Sequence, residues 1–517
     1  MKNILFLPLD ERPCNYDFPQ MLVEGTGYRL LMPPREMLGK KKQAGDTEAI
    51  WKWLLANIPD CDDAVISIDT LLYSGIVPSR LHNFKAEYLL NKLENIKKLK
   101  GKNPKLTLYA FNLIMRNPTY SSAEEEPDYY GEWGREIYLY GSIGHKKGLG
   151  IATDEELQQF ETIKGRLPEK YLNDYLNRRA VNIQVNKAVV KMAAENVFDF
   201  VIIPQDDSSP YGLTAKDQQS IRNLIDSLNV NLKVYMYPDA DAVANTLIAR
   251  VINRRECRKP LVYVKYASTM GYSVIPLYED RIVGETIKYQ ILAAGGLVAS
   301  SAAESQIILM VDVPSGGMQD TLRPFKDGKA ISRAIEYDAN RNLIELVEYA
   351  DYAIKALGKD VIFADIAYCN GGDPLLLNLL RQKGILWMLA GYAGWNTSSN
   401  SLGTCIPMGM IYNMFRNADA HRNFLALRYV EDIGYCAVVR QDVAKNDLPA
   451  MSLSYYQVDG PQGKVADVVR EKLQKFADEN LNSDGCTVLV TGCRLPWNRM
   501  FEVGIKVTTL TAENSRV

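Results

Sequence analysis

Residues 201–212 read VIIPQDDSSPYG, and this stretch indicates the fold more clearly than any other. A nearly continuous apolar run over 198–203 leads into it and is broken at Pro204. Apolar runs of this length are typical of strands that are buried on both faces, as in parallel sheets. In such sheets, chemistry gathers beyond the carboxyl ends of the strands, which is where Asp206 and Asp207 would stand.

The adjacent carboxyl groups of Asp206 and Asp207 support two interpretations. Neighbouring carboxyl groups repel each other, so that one stays ionised while the other keeps a proton and serves as a general acid. Asp and Ser are also ordinary turn and N-cap residues, and Asp207 or Ser208 would then cap a helix that begins near Thr214. Polar residues at the ends of other strands favour the functional interpretation.

Strand candidates alternate with helical segments along most of the chain. Nine of them begin at residues 3, 64, 105, 199, 232, 261, 306, 361 and 385. This repeated β/α alternation predicts an α/β fold. We favour a TIM-barrel-like (β/α)8 core, because residues from many strands then converge on one site. Nine candidates exceed the eight strands of a barrel, and an open doubly wound parallel sheet, or two such sheets, is the alternative.

The alternating pattern ends near residue 407. Beyond it we expect two helical segments and two short strands, at 407–445, 464–481, 486–491 and 501–508. We therefore predict a barrel-like catalytic domain over residues 1–406 and a mostly helical or mixed C-terminal region over residues 407–517.

Residues 117–160 form a long insertion that is rich in Tyr, Glu and Gly. Long loops within a compact domain are usually functional or disordered. The aromatic side chains of this insertion either line a substrate cleft or pack within a helical hairpin, and we favour the hairpin. A long helix is predicted over 166–196, with Arg178 and Arg179 on a face that is exposed to solvent.

Composition excludes several classes of function. A net charge of −2 argues against a nucleic-acid-binding surface, and no apolar run has membrane-spanning length. The N-terminal apolar run meets charged residues at once, so we interpret it as the first strand and not as a signal peptide. Eight scattered cysteines without a CxxC pair indicate reduced thiols in the cytoplasm, and only three histidines make a His-rich metal site impossible.

Carboxylate and amide side chains follow nearly every predicted strand. We predict Asp206 and Asp207 to be catalytic, and nine further residues to bind substrate: Asp10, Arg12, Asp69, Asn112, Asp239, Asp365, Trp395, Asn396 and Asn400. Arg12, Arg80 and Arg116 would neutralise some of the carboxylates. Such a set suits carbohydrate, since sugar hydroxyls bond to Asp and Asn, an aromatic ring stacks on the sugar, and paired carboxyl groups cut glycosidic bonds.

Two adjacent residues cannot provide the usual acid and nucleophile, because these lie on opposite sides of the bond with about 5 Å or more between their carboxyl groups. An adjacent pair does suit substrate-assisted cleavage, in which the 2-acetamido group of the substrate is the nucleophile. We assign Asp206 to orienting the acetamido nitrogen and Asp207 to protonating the leaving oxygen. The prediction is a glycoside hydrolase of 2-acetamido sugars, of the β-N-acetylhexosaminidase type.

The segment GYAGWNTSSNSLGT, at 391–404, offers a stacking ring in Trp395 and amides in Asn396 and Asn400. The alternative is a turn in which Asn and Ser bond to nearby backbone and Trp395 packs inward. For NGGD, at 370–373, a plain turn and helix cap is at least as well supported as a functional role.

Two rival hypotheses use the same polar residues. A hydrolase would hold Mg²⁺ or Mn²⁺ on Asp10, Asp69, Asp206 and Asp365 through oxygen ligands. A non-catalytic sugar-binding protein would use the same cleft. We expect no bound metal and no cofactor. Phosphate-binding glycine loops are absent, so nucleotide binding has no motif support. The expected partners are a carbohydrate substrate and, as an option, a second copy of the chain, with no nucleic acid and no membrane.

Five segments carry a resemblance to a known family: PLDERPCNYDFP at 8–19, SIDTLLYSGIVPSR at 67–80, PQDDSSPYG at 204–212, YPDADA at 237–242 and AGWNTSSNSLGT at 393–404. Together they resemble a bacterial family catalogued as a domain of unknown function, over nearly the whole chain. That name implies no activity. Separately, an Asp-Asp pair after a fourth strand is similar to the arrangement in barrel β-N-acetylhexosaminidases that use substrate assistance, which is an analogy of one dipeptide and its position.

Overall fold

The computed structural model describes residues 1–321, 325–326, 329–330 and 334–511. Its internal contacts divide the chain into two compact units. The first unit consists of residues 1–11, 29–244 and 278–280, and the second of residues 12–28, 245–277 and 281 onward. The domain boundary predicted after residue 406 does not coincide with this division, because it falls within the helix Ser398–Phe415 of the second unit.

The first unit is built on an open six-stranded sheet. Its strands follow the spatial order Tyr28–Leu31, Lys2–Leu7, Asp63–Ser67, Thr107–Phe111, Phe200–Ile202 and Val234–Tyr235. From Lys2–Leu7 onward every pairing between neighbours runs parallel. Numbered along the chain, the order is 2-1-3-4-5-6, which is the order of a doubly wound sheet.

The second unit repeats this arrangement with five strands. They follow the spatial order Leu297–Val298, Leu261–Tyr266, Ile307–Asp312, Asp360–Asp365 and Gly391–Ala393, and all four pairings run parallel. Numbered within the unit, the order is again 2-1-3-4-5. The central strands Ile307–Asp312 and Asp360–Asp365 are almost fully buried, as expected when helices cover both faces of a parallel sheet.

The predicted α/β class and its parallel strands are therefore confirmed, whereas the described strands form two open sheets and not the favoured closed barrel. The alternative of open doubly wound sheets fits both units. Eight of the nine strand candidates correspond to strands; the ninth, 385–390, was wrong, because it contains the 3-10 helix Leu386–Met388 and the strand follows at Gly391–Ala393. Prediction missed Tyr28–Leu31 and Leu297–Val298. Each is short and lies at the edge of its sheet, beside the strand that comes first along the chain.

Helices connect these strands. In the first unit the α-helices are Thr47–Asn57, Ile68–Tyr73, Ala86–Glu94, Lys97–Lys102, Tyr130–Gly148, Asp154–Arg166, Glu169–Ala194 and Leu213–Ser227. Those of the second unit are Pro13–Val23, Val243–Arg255, Val283–Ala293, Ile335–Asp338, Leu343–Lys355, Pro374–Lys383, Ser398–Phe415, Ala418–Arg428, Arg440–Asp442 and Lys464–Asn480. Among the described residues, none of the helices combines the length and the apolar character that a bilayer crossing requires.

The insertion at 117–160 contains the predicted helical hairpin. Helix Tyr130–Gly148 packs on helix Asp154–Arg166, and a capping box between Thr153 and Glu156 begins the second helix. Its aromatic residues pack in a core around Tyr130 and Ile137. Within the next helix, Arg178 and Arg179 are buried, so the prediction of a solvated face was wrong at both positions.

Arg178 and Arg179 are buried because each finds oxygen partners. Arg178 forms an ion pair with Asp174 and donates to the carbonyl of His82 at 2.7 Å. Arg179 pairs with Asp217 and donates to the carbonyl of Met115 at 2.6 Å. A buried guanidinium is tolerated when its N–H groups are satisfied in this way.

The C-terminal elements agree with prediction in kind. Ser398–Phe415 and Ala418–Arg428 are helices, and the latter continues as a π-helix over Tyr429–Val439, with a second π segment at Val443–Asp447. The two strands expected near the end form an antiparallel hairpin, Cys486–Arg494 with Gly504–Thr511. Shorter pairings join Gln319–Asp320 to Tyr368–Cys369 and Phe325–Lys326 to Lys329–Ala330.

Candidate functional site

Six of the predicted site residues stand at one edge of the first sheet. They follow the carboxyl ends of its strands: Asp10, Asp69, Asn112, Asp206, Asp207 and Asp239. The strands run parallel, so their carboxyl ends share an edge. In doubly wound sheets this is the edge at which ligands bind.

Four acidic side chains and two arginines at this edge form a cluster that we call the carboxylate–arginine cluster. Its members are Arg80, Arg116, Glu125, Glu126, Asp206 and Asp207. Arg80 forms an ion pair with Asp206, and Arg116 forms one with Asp207 at 3.1 Å. The expectation that Arg80 and Arg116 neutralise carboxylates is thereby confirmed.

The two glutamates tie the arginines together. Glu125 accepts from the Nη1 of Arg80 at 3.0 Å and from the Nη2 of Arg116 at 3.1 Å. Glu126 accepts from the Nε of Arg116 at 2.7 Å and from the Nη1 of Arg80 at 3.4 Å. Each guanidinium group is therefore shared among three carboxylates, which restricts its orientation.

The alternative that Asp207 or Ser208 merely caps the following helix is not what the structure shows. Helix Leu213–Ser227 begins after Gly212, and no side chain caps it. Asp207 instead has a positive φ of 38°, an uncommon conformation outside glycine, and its carboxylate meets Arg116. The backbone N–H of Ser208 donates to the carbonyl of Tyr278 at 2.8 Å.

Burial raises the pKa of Asp207 to about 7; Arg116 opposes this rise and the neighbouring Asp206 adds to it. A carboxyl group with this pKa is about half protonated at neutral pH. The side chains of Asp206 and Asp207 are 12% and 18% exposed, so the pair reaches solvent while most of its surface is covered. The cluster can thus present both a proton donor and a carboxylate that is paired with a cation.

Asp69 and Asn112 lie in a hydrogen-bonded layer at the same edge. Asp69 accepts from the side chain of Asn112 at 3.2 Å and from the N–H of Leu113 at 2.9 Å, and Asn112 accepts from Asn186 at 2.6 Å. Burial raises the pKa of Asp69 to about 6, and these hydrogen bonds lower it only in part. Asp239 accepts from the N–H groups of residues 240 and 242, so it shapes the turn before the next helix.

The remaining predicted residues belong to the second unit: Arg12, Asp365, Trp395, Asn396 and Asn400. Prediction placed them with the Asp pair because a single barrel would gather all strand ends. Each unit has its own sheet, so the predicted residues are divided between two sheets.

Asp365 lies in a second buried polar cluster. Its Oδ2 accepts from the hydroxyl of Tyr392 at 2.6 Å and from the backbone N–H of Asp373 at 2.7 Å. Arg341 donates to both oxygens of Asp312 at 3.0 and 3.1 Å and forms an ion pair with Asp373 at 2.8 Å. Burial raises the pKa of Asp312 to about 7 and that of Asp365 well above its usual value.

Asp373 is also the N-cap of helix Pro374–Lys383, accepting from the N–H of Leu375 at 2.8 Å, as the cap interpretation of NGGD expects. Both Asp312 and Asp365 are fully buried. This second cluster is therefore enclosed, in contrast to the partly exposed carboxylate–arginine cluster of the first unit.

Trp395, Asn396 and Asn400 make the local contacts that the turn interpretation expects. Trp395 is only 8% exposed, and its ring packs edge-on against the Phe18 ring, with 5.7 Å between the ring centroids. Its indole N–H donates to Thr404 at 3.1 Å. Asn396 donates to Asn400 at 2.7 Å, beside the N-cap of helix Ser398–Phe415. These contacts order a loop and a helix start.

Arg12 packs over the Trp497 ring at 4.8 Å and forms an ion pair with Glu502 at 3.4 Å. These contacts lie within the second unit, because the chain passes from the first unit into the second at this residue.

Sequence reasoning missed several charged residues. Glu125 and Glu126 lie in the insertion, where only the run EEE at 124–126 hinted that they were more than surface residues. Arg428, Glu431 and Asp432 surround the start of the π-helix, where the Oδ2 of Asp432 accepts from the N–H of Gly394 at 2.7 Å. No local signal marks a π-helix, although such segments frequently occur at functional sites.

Of the carboxylates proposed as metal ligands, Asp365 belongs to the second unit and Asp10, Asp69 and Asp206 to the first. Within the described ranges, no three His, Cys, Asp or Glu side chains are arranged to hold a metal ion. In the carboxylate–arginine cluster, the carboxylates of Asp206 and Asp207 are paired with guanidinium groups.

Fold and site together define an α/β protein with two open sheets of mainly parallel strands and a carboxylate–arginine cluster at the carboxyl edge of the first. The chain belongs to the family described as Protein of unknown function (DUF4127), whose model matches residues 4–506. The resemblance to a domain-of-unknown-function family is therefore confirmed over nearly the whole length. No curated protein is detectably similar in sequence.

Proposed function

We propose that the protein is a glycoside hydrolase of 2-acetamido sugars and that the carboxylate–arginine cluster is its active site. The observation that carries this proposal is the unequal setting of two adjacent carboxyl groups. Asp206 pairs with the fully buried Arg80, whereas burial raises the pKa of Asp207 to about 7. Such a division supplies a carboxylate and a general acid side by side.

In the proposed reaction, the acetamido oxygen of the substrate attacks the anomeric carbon as the glycosidic bond breaks. Asp207 gives its proton to the leaving oxygen, and Asp206 accepts a hydrogen bond from the acetamido N–H. Water then opens the resulting oxazolinium ion, which has kept its N–H proton, and Asp207 takes a proton back from that water. Because Arg80 and Arg116 hold the two carboxylates in place, little reorganisation is needed when charge develops on the sugar.

Three features support this site over the other predicted residues. The pair is partly exposed, it lies at the carboxyl edge of a doubly wound sheet, and its side chains are fixed by ion pairs. Since the sheet is open, the analogy with barrel β-N-acetylhexosaminidases no longer extends to the fold. The proposal therefore depends on the chemistry of the cluster.

The test is hydrolysis of 4-nitrophenyl glycosides, including the N-acetylglucosaminide and the N-acetylgalactosaminide, with and without EDTA. Asp207→Asn should abolish cleavage, because an amide cannot protonate the leaving oxygen. Asp128→Asn is the matched control, since Asp128 is almost fully exposed and pairs only with Lys42 among the described residues. Retained activity in Asp207→Asn would exclude the assigned acid, and activity that EDTA abolishes and Mg²⁺ restores would favour the metal hydrolase.

We further propose the cytoplasm as the compartment, a carbohydrate as the partner and a homodimer as an option to be tested by light scattering. All eight cysteines lie in the described part of the chain, and each is a thiol and not part of a disulfide. Sugar binding that survives Asp207→Asn without any cleavage in the parent protein would instead favour a non-catalytic sugar-binding protein.

A further inference from the structure

The carboxylate–arginine cluster contains more acidic groups than basic ones. Four carboxylates contact two guanidinium groups, and both arginines are shared by Glu125 and Glu126. With Asp207 ionised, the cluster carries a net charge of −2, and with Asp207 protonated, −1. Asp69 lies close enough to Arg80 to interact electrostatically and adds a further acidic group at this edge. An anionic ligand would be repelled here.

Two buried polar atoms of this region lack a hydrogen-bond partner among the described residues. They are the Oε2 of Glu126 and the Oγ of Ser208, and both residues are more than nine-tenths buried. Glu126 uses its other oxygen for Arg80 and Arg116, so its unpaired oxygen belongs to the cluster. Leaving such an oxygen unpaired is costly, and a ligand that supplies N–H donors would remove that cost.

We propose that this cluster binds a primary ammonium group of an amino sugar, next to the ring that is cleaved. This inference rests on the proposed function and names its substrate class more closely. An ammonium group brings three N–H donors, no acceptor and one positive charge. It therefore complements both the acidic surplus and the unpaired oxygen of Glu126, whereas a hydroxyl group supplies one donor and no charge.

The test is isothermal titration of the full chain with glucosamine, N-acetylglucosamine and glucose at about pH 6, where an amine is protonated. We expect glucosamine to bind about tenfold more tightly than glucose or more, since a hydrogen bond between charged groups is worth about a factor of ten. The preference should weaken as salt is added, because the cluster is partly exposed.

Two variants examine the named groups. Glu126→Gln should remove the preference for glucosamine, and Glu125→Gln, at a more exposed position, should reduce it even if the buried substitution impairs folding. Glu124→Gln is the matched control, because Glu124 pairs with Lys41 and not with the cluster arginines. The control should keep the preference unchanged.

Equal binding of the three sugars, or no binding of any, would overturn the inference. So would a preference that survives in both Glu125→Gln and Glu126→Gln. Since titration requires no bond cleavage, this outcome is separate from that of the hydrolysis test. Cleavage of acetamido glycosides without a preference for glucosamine would leave the proposed function standing and refute only the ammonium site.

Discussion

Replacing Arg341 with leucine probes the enclosed cluster of the second unit. The guanidinium donates to Asp312 at 3.0 and 3.1 Å and pairs with Asp373 at 2.8 Å, and all three side chains are buried. Arg341→Leu leaves two buried carboxyl groups without their cation. Removing one partner of a buried ion pair typically lowers the free energy of unfolding by about 3–5 kcal/mol. We expect a loss of this size at about pH 8.

The cost should depend on pH. Burial already raises the pKa of Asp312 to about 7, compared with about 4 in an unfolded chain. The folded state therefore binds more protons than the unfolded state between about pH 4 and pH 7, and stability falls as the pH rises through this window. Without Arg341, which lowers it, the pKa of Asp312 rises further. At about pH 5 the carboxyl group of Asp312 is neutral, and the cost should fall to about 1–2 kcal/mol.

Urea unfolding at both pH values, followed by tryptophan fluorescence and circular dichroism, measures these free energies. The double variant Arg341→Leu with Asp312→Asn should recover part of the loss at about pH 8, because it removes one of the uncompensated charges. Arg422→Leu is the control, since its ion pair with Asp419 is exposed and should cost at most about 0.5 kcal/mol. A loss below about 1 kcal/mol at about pH 8, or an equal loss at both pH values, would refute the reasoning.

Three further predictions concern single positions. Gly372→Ala should lower the free energy of unfolding in urea by about 1–3 kcal/mol, because the added methyl group would meet the hydroxyl of Tyr392. Gly317→Ala is the control and should leave this free energy unchanged, because the space around Gly317 is open. Thr153→Ala should lower stability by about 1 kcal/mol through loss of the capping box, measured by the same method; an unchanged midpoint would contradict this. If Asp207 is the general acid, kcat/KM for a nitrophenyl glycoside should fall as the pH rises through about 7, and a flat profile there would contradict the assignment.

Local sequence was a good guide to the strands. Apolar runs such as 198–203 mark buried strands because a strand in a parallel sheet needs apolar side chains on both faces. The same reasoning overlooked Leu297–Val298, since two residues at the edge of a sheet carry too little pattern to be recognised. It also placed Arg178 and Arg179 in solvent, because sequence spacing does not reveal the oxygen partners that make burial possible.

The candidate site was predicted in part. Asp206 and Asp207 follow a strand, and the suggestion that Arg80 and Arg116 neutralise carboxylates holds. Glu125 and Glu126 were not predicted, because about 80 residues separate them from the aspartates along the chain and no periodic pattern links the two segments. Contacts of this kind are decided by how an insertion folds back over a sheet.

What the amino-acid sequence decides alone is therefore the set of local elements: β/α alternation, parallel strands, and acidic residues at the strand ends. Only the tertiary structure decides that the strands form two open sheets and that Trp395 packs against Phe18 inside the second unit. The physical reason is that apolar periodicity reports which face of an element is buried, whereas strand pairing is a choice between distant segments. Closing one barrel and opening two sheets bury the same apolar runs, so the local pattern cannot distinguish them.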